Sequence, residues 1–167
     1  MSIVCCKILD DTIEIASDSI TVRGWTQDKG RNNMAKLCDV NGMLIGGIGA
    51  AAETSLLQIF CHTHQPASSG ESDIVTLFVE FAEWKKKKTD KYEMENTYIF
   101  IFDGLAFFIN SFFVNKITTY EAIGVGQEFA LAALYLGHNV EQAVAAACEL
   151  CTMCEKPIKM LTVPRKK

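Results

Sequence analysis

The stretch "SIVCCKILDDTIEIASDS", residues 2–19, limits the fold more than any other part of this chain. Its first half is apolar at both odd and even positions, apart from Ser2 and Lys7. Side chains alternate between faces along a strand, so a strand apolar on both faces needs cover on both. Asp10–Asp11 is a turn signal, and "TIEIASDS" then resumes with period-two alternation. A two-residue loop sets Leu9 opposite Thr12 and returns residues 17–19 beside residues 2–4, with Asp18 near Ser2. The hairpin is therefore expected inside a layered protein.

Downstream, "RGWTQDKGRNN" is polar and glycine-bearing and reads as a loop, while "MAKLCDV" and "MLIGGIG" flank the hairpin signal Asn41–Gly42. "AAAETSLLQIFCHTH" has helical spacing at Leu56, Leu57, Phe60 and Cys61. "QPASSGES" reads as a loop whose Ser72 caps a second helix, "DIVTLFVEFAEW". Three aromatic and β-branched strands follow, "NTYIFIFDG", "LAFFIN" and "FFVNKI", and then "YEAIGVG", a strand entering a glycine turn. Two alanine-rich helices, "QEFALAALYLG" and "NVEQAVAAACELCTMC", precede a last strand "IKMLTV" and a tail "PRKK". Strand blocks separated by helix pairs argue for α+β layering, and strands without a polar face argue for two stacked sheets with helices outside. The expected fold is a four-layer αββα sandwich. With no repeats or linkers, residues 1–167 are expected to form a single domain.

Composition excludes several functions. Hydrophobic residues make up 49% and charged residues 22%, as in ordered globular proteins. A net charge of −4 gives no field for nucleic acid. The run Lys85–Lys88 reads as a solvated helix end rather than an anion-binding patch. No apolar run approaches the ~20 residues that span a bilayer, and the N-terminus lacks the pattern of a signal peptide. Seven scattered cysteines then read as reduced thiols in a cytosol-like compartment, so a cytoplasmic location is expected. Cys148, Cys151 and Cys154 form C-x2-C-x2-C, but an iron–sulfur run needs a fourth cysteine where Ile158 stands. No second Cys-x2-Cys exists for zinc, and His62, His64 and His138 lack ligand spacing. The three thiols read as small core residues on one helix, and no metal or organic cofactor is expected. "GIGAAAE" lacks the Gly-Lys-Ser/Thr ending of a phosphate loop.

The chemistry concentrates at the front of the chain. Ser2 is small enough for an aminopeptidase to remove Met1 ahead of it. The freed α-amine, with a pKa of ~7.7–8, and the hydroxyl of the same residue would form a complete base–nucleophile pair. A lysine held by a carboxylate would supply positive potential, and main-chain N–H groups of a glycine turn would stabilise an oxyanion. The chain offers Asp18, then Lys36, then the turn "GGIGAAAE" from Gly46 to Glu53. Taken singly, Ser2 is a strand start, Asp18 a turn residue and Lys36 a surface cation; only the ordered set points to catalysis.

"S-I-V-C-C-K", "ASDS", "KL" and "GGIGAAAET" resemble the proteasome-type N-terminal-nucleophile hydrolases, a family of proteasome β-subunits, the HslV peptidase and Anbu proteins. "YEAIGVGQEFALAALYLG" and "VEQAVAAACEL" are similar to the family's later strand-turn-helix-helix segment. By matching position, the resemblance implies Ser2 as nucleophile, Asp18 as the carboxylate and Lys36 as the pKa-lowering lysine, with Lys29 the alternative. It implies Gly49, or Gly47, as the oxyanion donor. It also implies an αββα fold, hydrolysis of polypeptide substrates without a cofactor, a homo-oligomeric ring, and an ATP-dependent unfoldase as partner. Two positions depart from the pattern. Val125 stands where the family commonly has a serine, and "LCTMCEKPIK" lacks the family's aspartate, with only Thr152 and Glu155 as substitutes. These departures keep open a catalytically inactive proteasome-fold scaffold or assembly subunit, and behind it a small-substrate amidohydrolase.

Overall fold

In a computed structural model of the chain, which describes residues 2–24, 26–29 and 35–166, the N-terminal hairpin is formed by β1 (Ile3–Ile8) and β2 (Thr12–Ser17). Leu9 N–H donates to Thr12 O at 2.8 Å across the two-aspartate turn, and Val4 lies opposite Ser17. That is the register the loop length dictates. Strand β3 (Ile20–Arg23) pairs with β4 (Thr26–Lys29) as a two-stranded ribbon, where a loop was expected. The ribbon needs only main-chain pairing, and its polar second strand gives no alternation to detect.

The second sheet is a sequential meander of β5 (Leu37–Val40), β6 (Met43–Ile48), β7 (Thr97–Phe102), β8 (Leu105–Asn110) and β9 (Phe113–Ile117). Strands β10 (Tyr120–Gly124) and β11 (Lys159–Pro164) complete the first sheet, in the order β10-β1-β2-β11, all antiparallel. The expected tail is tied down: Arg165 N–H donates to Asp11 O, Lys166 N–H to Gly104 O, and Arg165 Nη1 to Leu9 O.

Among the described residues there are four helices, α1 (Ala51–Cys61), α2 (Glu71–Thr89), α3 (Gln127–Tyr135) and α4 (Val140–Leu150). Helix α2 starts two residues earlier than Ser72 implied, with Gly70 as its N-cap and the Glu71 and Asp73 carboxylates in the first turn. No side chain caps the helix; Ser68 braces the entry by accepting Gly70 N–H and donating to Asp73 Oδ2. Helix α4 opens with a capping box of Asn139 and Gln142 and ends at Leu150, four residues short of the expected run. Of the three thiols placed on one helix, only Cys148 is helical. Cys151 is extended at φ −106°, and a turn bond from Cys154 N–H to Cys151 O carries Cys154 back into the core.

Three apolar layers separate the four structural ones. Ile3, Cys5, Ala16 and Ala122 of the first sheet pack under α3 and α4. Val4, Cys6, Ile13 and Ile15 face Leu37, Leu44, Ile99 and Ile101 of the second sheet. Met43, Ile45, Tyr98, Phe100 and Phe107 then pack under α1 and α2. Ile3 and Cys5 thus point one way and Val4 and Cys6 the other, the two-sided cover expected of this strand. The architecture is the four-layer αββα sandwich. None of the helices among the described residues is long and apolar enough to cross a membrane.

Phe78 lies fully buried with its ring 5.5 Å from Phe100 and 5.9 Å from Tyr98. Phe78→Ala should lower the unfolding free energy by ~3–5 kcal/mol, read from the urea midpoint. Buried thiols set a second expectation. Burial pushes Cys5 and Cys61 up to about 12 from an ordinary 9.0, and Cys6 in the same direction. The unfolded chain therefore ionises these groups first. Their contribution is intact below pH 9 and is lost as pH rises toward 12, by up to ~1.4 kcal/mol per group per pH unit. Under reducing conditions the urea midpoint should fall between pH 9 and 11, and less steeply in a Cys5→Ala/Cys61→Ala variant.

Candidate functional site

The hairpin register puts Ile3 and Asp18 side by side where β1 begins and β2 ends, with Asp18 N–H donating to Ile3 O at 3.3 Å. The Asp18 side chain is fully buried, and each oxygen accepts two hydrogen bonds. Oδ1 accepts Ile3 N–H at 2.9 Å and Lys36 Nζ at 2.5 Å. Oδ2 accepts Ile20 N–H at 3.4 Å and Glu155 N–H at 3.3 Å. Ser19 N–H returns the contact to Glu155 O at 2.9 Å. A buried carboxylate is stable only with such compensation, and here it comes from four segments far apart in the chain. The Ser17 and Ser19 hydroxyls on either side are buried without a hydrogen-bond partner among the described residues, which leaves polar capacity beside the pair.

Lys36 sits in the bend immediately before β5 rather than within the strand, and its side chain is 11% exposed. Burial pulls its ammonium below the ordinary 10.5, and the Asp18 carboxylate pulls it back up. The thiols of Cys148 and Cys154 lie in the same field. Burial and then the Asp18 charge raise both, Cys148 to about 11. Lys29 closes β4, and its side chain, like Met1, lies outside the described residues.

Ser2 is itself buried and precedes Ile3, whose N–H is bonded to Asp18. The turn after β10 lies on its carbonyl: Gly126 N–H donates to Ser2 O at 3.5 Å. At Gly124, φ is +108° and a Cβ would stand 2.2 Å from Ser2 O, so only glycine lets β10 approach. Val125 between them is exposed, and Cys151 Sγ contacts its carbonyl at 3.9 Å. Its side chain brings no polar group to the site. In the 151–158 loop, the contact with Asp18 is a main-chain one, from Glu155.

The glycine turn separates its two candidate donors. Gly47 N–H is already committed, donating to Lys36 O at 3.1 Å. Gly49 is exposed between β6 and α1 at φ +123°, and among the described residues no acceptor is bonded to its N–H. It lies two residues beyond the Gly47–Lys36 bond, so Ser2, Asp18, Lys36 and Gly49 occupy one rim of the sandwich. Among the described residues, Gly47 N–H is bonded and Gly49 N–H is not.

Behind that turn lies a network the sequence did not reveal. Glu53, in the first turn of α1, accepts Lys85 Nζ at 2.7 Å and Glu95 N–H at 3.1 Å on Oε2. Its Oε1 accepts Asn96 N–H at 3.0 Å and Tyr98 OH at 3.2 Å. Lys85 is therefore a buried ion-pair partner, and only Lys86–Lys88 form the solvated helix end expected of the whole run. Its place on the stripe Ile74, Leu77, Phe78, Phe81, Ala82, Lys85 was the available signal, because helical spacing turns all six inward.

Removing either partner of the Asp18–Lys36 pair should have unequal effects. Asp18→Asn leaves Lys36 buried without a countercharge and should cost roughly 3–5 kcal/mol in urea unfolding. Lys36→Met leaves a carboxylate still held by three main-chain N–H groups and should cost a smaller ~1–2 kcal/mol.

No family model and no curated protein matches this sequence. Solved structures do match in shape. BPH from Thiobacillus denitrificans in complex with Epoxomicin superposes with a TM-score of 0.88 over 99% of this chain and 100% of its own, at 17% identity. Eukaryotic HslV from Trypanosoma brucei gives 0.71 over 98% and 99%, at 19% identity. Anbu, an ancestral beta-subunit from Yersinia bercovieri, gives 0.70 over 97% and 81%, at 17% identity. The chain has the proteasome-type fold of the N-terminal-nucleophile hydrolases.

Proposed function

We propose that this chain is a proteasome-like N-terminal-nucleophile peptidase whose Ser2 acts once Met1 has been removed. The observation that carries the reading is the single oxygen Asp18 Oδ1, which accepts both the Ile3 N–H and the Lys36 ammonium. A cation is thereby held one residue from the proposed nucleophile. In the proposed reaction Ser2 Oγ attacks the substrate's peptide carbonyl and its proton passes to the Ser2 α-amine. The amine returns the proton to the departing amine of the substrate, leaving an acyl-ester on Ser2. Water then enters along the reverse path, the amine again taking and returning a proton. Lys36 favours the unprotonated amine by its positive potential, and Gly49 N–H stabilises the tetrahedral oxyanion. Asp18 fixes Lys36 and the start of β1 in one geometry.

The likeness to HslV and Anbu supports a homo-oligomeric ring enclosing the sites, polypeptides as substrates, and an ATP-dependent unfoldase that would deliver them. Seven unpaired thiols fit a reducing compartment such as the cytoplasm. A second reading, an inactive scaffold of the same fold, draws support from Val125, which gives the turn over Ser2 no side-chain hydrogen bond.

Intact mass of protein purified from its own cells should show Met1 absent. Such material should cleave fluorogenic peptides and gain the mass of Epoxomicin on incubation. Ser2→Ala should abolish both, and Lys36→Met should lower kcat by ~10²-fold or more. Retained Met1 with no cleavage overturns the peptidase reading in favour of the scaffold, and cleavage unchanged in Ser2→Ala overturns Ser2 as the nucleophile.

A further inference from the structure

Asn96 lies 46 residues from the glycine turn in sequence, almost wholly buried in the segment before β7. Its side chain reads the turn as a neighbouring strand would. Oδ1 accepts Ala50 N–H at 2.6 Å, and Nδ2 donates to Ala50 O at 2.9 Å and to Thr54 Oγ1 at 3.0 Å. All the bonding capacity it turns toward α1 is spent on the residue after Gly49 and on the first turn of the helix. The fit is close enough to exclude a side chain at Gly49, where a Cβ would stand 2.1 Å from Asn96 Oδ1. Asn96 is in turn held by its main chain, whose N–H donates to Glu53 Oε1. Glu53 is anchored by Lys85, and Lys85 also donates to Glu93 O. A rigid chain of contacts thus runs from α2 through a buried ion pair to the peptide plane beside Gly49.

We infer that Asn96 is a positioning residue, whose paired bonds to Ala50 fix the direction of the Gly49 N–H as oxyanion donor. The inference rests on the peptidase reading for its kinetic consequence but not for its structural one. Oxyanion stabilisation depends on a donor that is already aimed, and a turn carrying φ +123° at an exposed glycine has no regular secondary structure to aim it. Asn96 supplies the missing constraint from a strand end.

Two measurements on the full chain test this. The first needs no activity: amide hydrogen exchange, read by mass spectrometry on peptides covering residues 46–55. Asn96→Ala should raise exchange in this segment by about 10-fold or more while the β1–β2 hairpin stays as protected as in the wild type. Asn96→Asp, nearly isosteric, retains the acceptor for Ala50 N–H but sets an oxygen against Ala50 O in place of the Nδ2 donor, so exchange in this segment should rise by less than in Asn96→Ala. The second is peptide hydrolysis. Asn96→Ala should lower kcat by about 10- to 100-fold with KM within about twofold. Asn96→Asp places an anion beside the developing oxyanion, so its kcat should fall and its pH–rate profile should differ from the wild type by a relative gain toward acid. Wild-type exchange in Asn96→Ala, or a raised KM with unchanged kcat, overturns the inference. An unmoved pH profile in Asn96→Asp also overturns it. Should the wild type cleave no peptide, the peptidase reading falls and the exchange measurement alone decides whether Asn96 holds the turn.

Discussion

A buried carboxylate organises the end of this molecule. Asp18 brings to one pair of oxygens the start of β1, the start of β3, the bend before β5 and the loop between α4 and β11. Removal of a carboxylate from water costs several kcal/mol, so the fold is committed to supplying all four donors together. No one of these segments is held at this end by apolar packing alone. The charge therefore acts as a registration pin for a junction where two sheets and a loop meet, with the Lys36 ammonium as its countercharge.

Glu53 repeats the device on the other side of the glycine turn. It too is buried, takes four donors and pairs with a single lysine, here Lys85 from α2. Its ionised form is favoured by the Lys85 and main-chain hydrogen bonds against the cost of burial, which leaves it below the ordinary carboxylate range. Tyr98, which donates to Glu53 Oε1, is driven upward by burial and by the Glu53 charge, so it stays a neutral donor. Two buried carboxylates thus brace one rim of the sandwich, Asp18 by bonding the main chain next to Ser2 and Glu53 by holding Asn96 against the residue after Gly49. Neither relies on the exposed ion pairs that contribute little at a surface.

The parts legible in the sequence were those fixed by local rules. The Asp10–Asp11 loop length set the β1–β2 register, and the register placed Asp18 beside Ile3 without any knowledge of the rest. Two-sided hydrophobicity in "IVCCKI" required cover on both faces, and the three apolar layers provide it. What escaped was long-range or main-chain in character. Asn96 stands in for a strand partner, a role no spacing announces. Glu155 reaches Asp18 through its N–H, so its side-chain type carried no signal. Lys85 was legible in principle, since it falls on the buried stripe of α2, but a four-lysine run hid one inward residue among three outward ones. The β3–β4 ribbon leaves no periodic signal, because its polar second strand pairs through the backbone alone. Helix α4 ends before the pattern does: Cys151-Thr152-Met153-Cys154 holds no glycine or proline to stop a helix, while the chain has to leave it to bring Cys154 and Glu155 inward.

The two sheets differ in how they draw on the chain. The second is a meander whose hairpins β7–β8 and β8–β9 close over turns of a few residues. The first joins residues 3–17 to residues 120–124 and 159–164, the two extremes of the sequence. On a ribosome, which releases residues in order, the meander can form early, whereas the hairpin bearing Ser2 waits uncovered on one edge for β10 and on the other for β11. Glu155 arrives with that final segment. The junction around Asp18 thus waits for a donor 137 residues downstream, so its closure follows that of the meander.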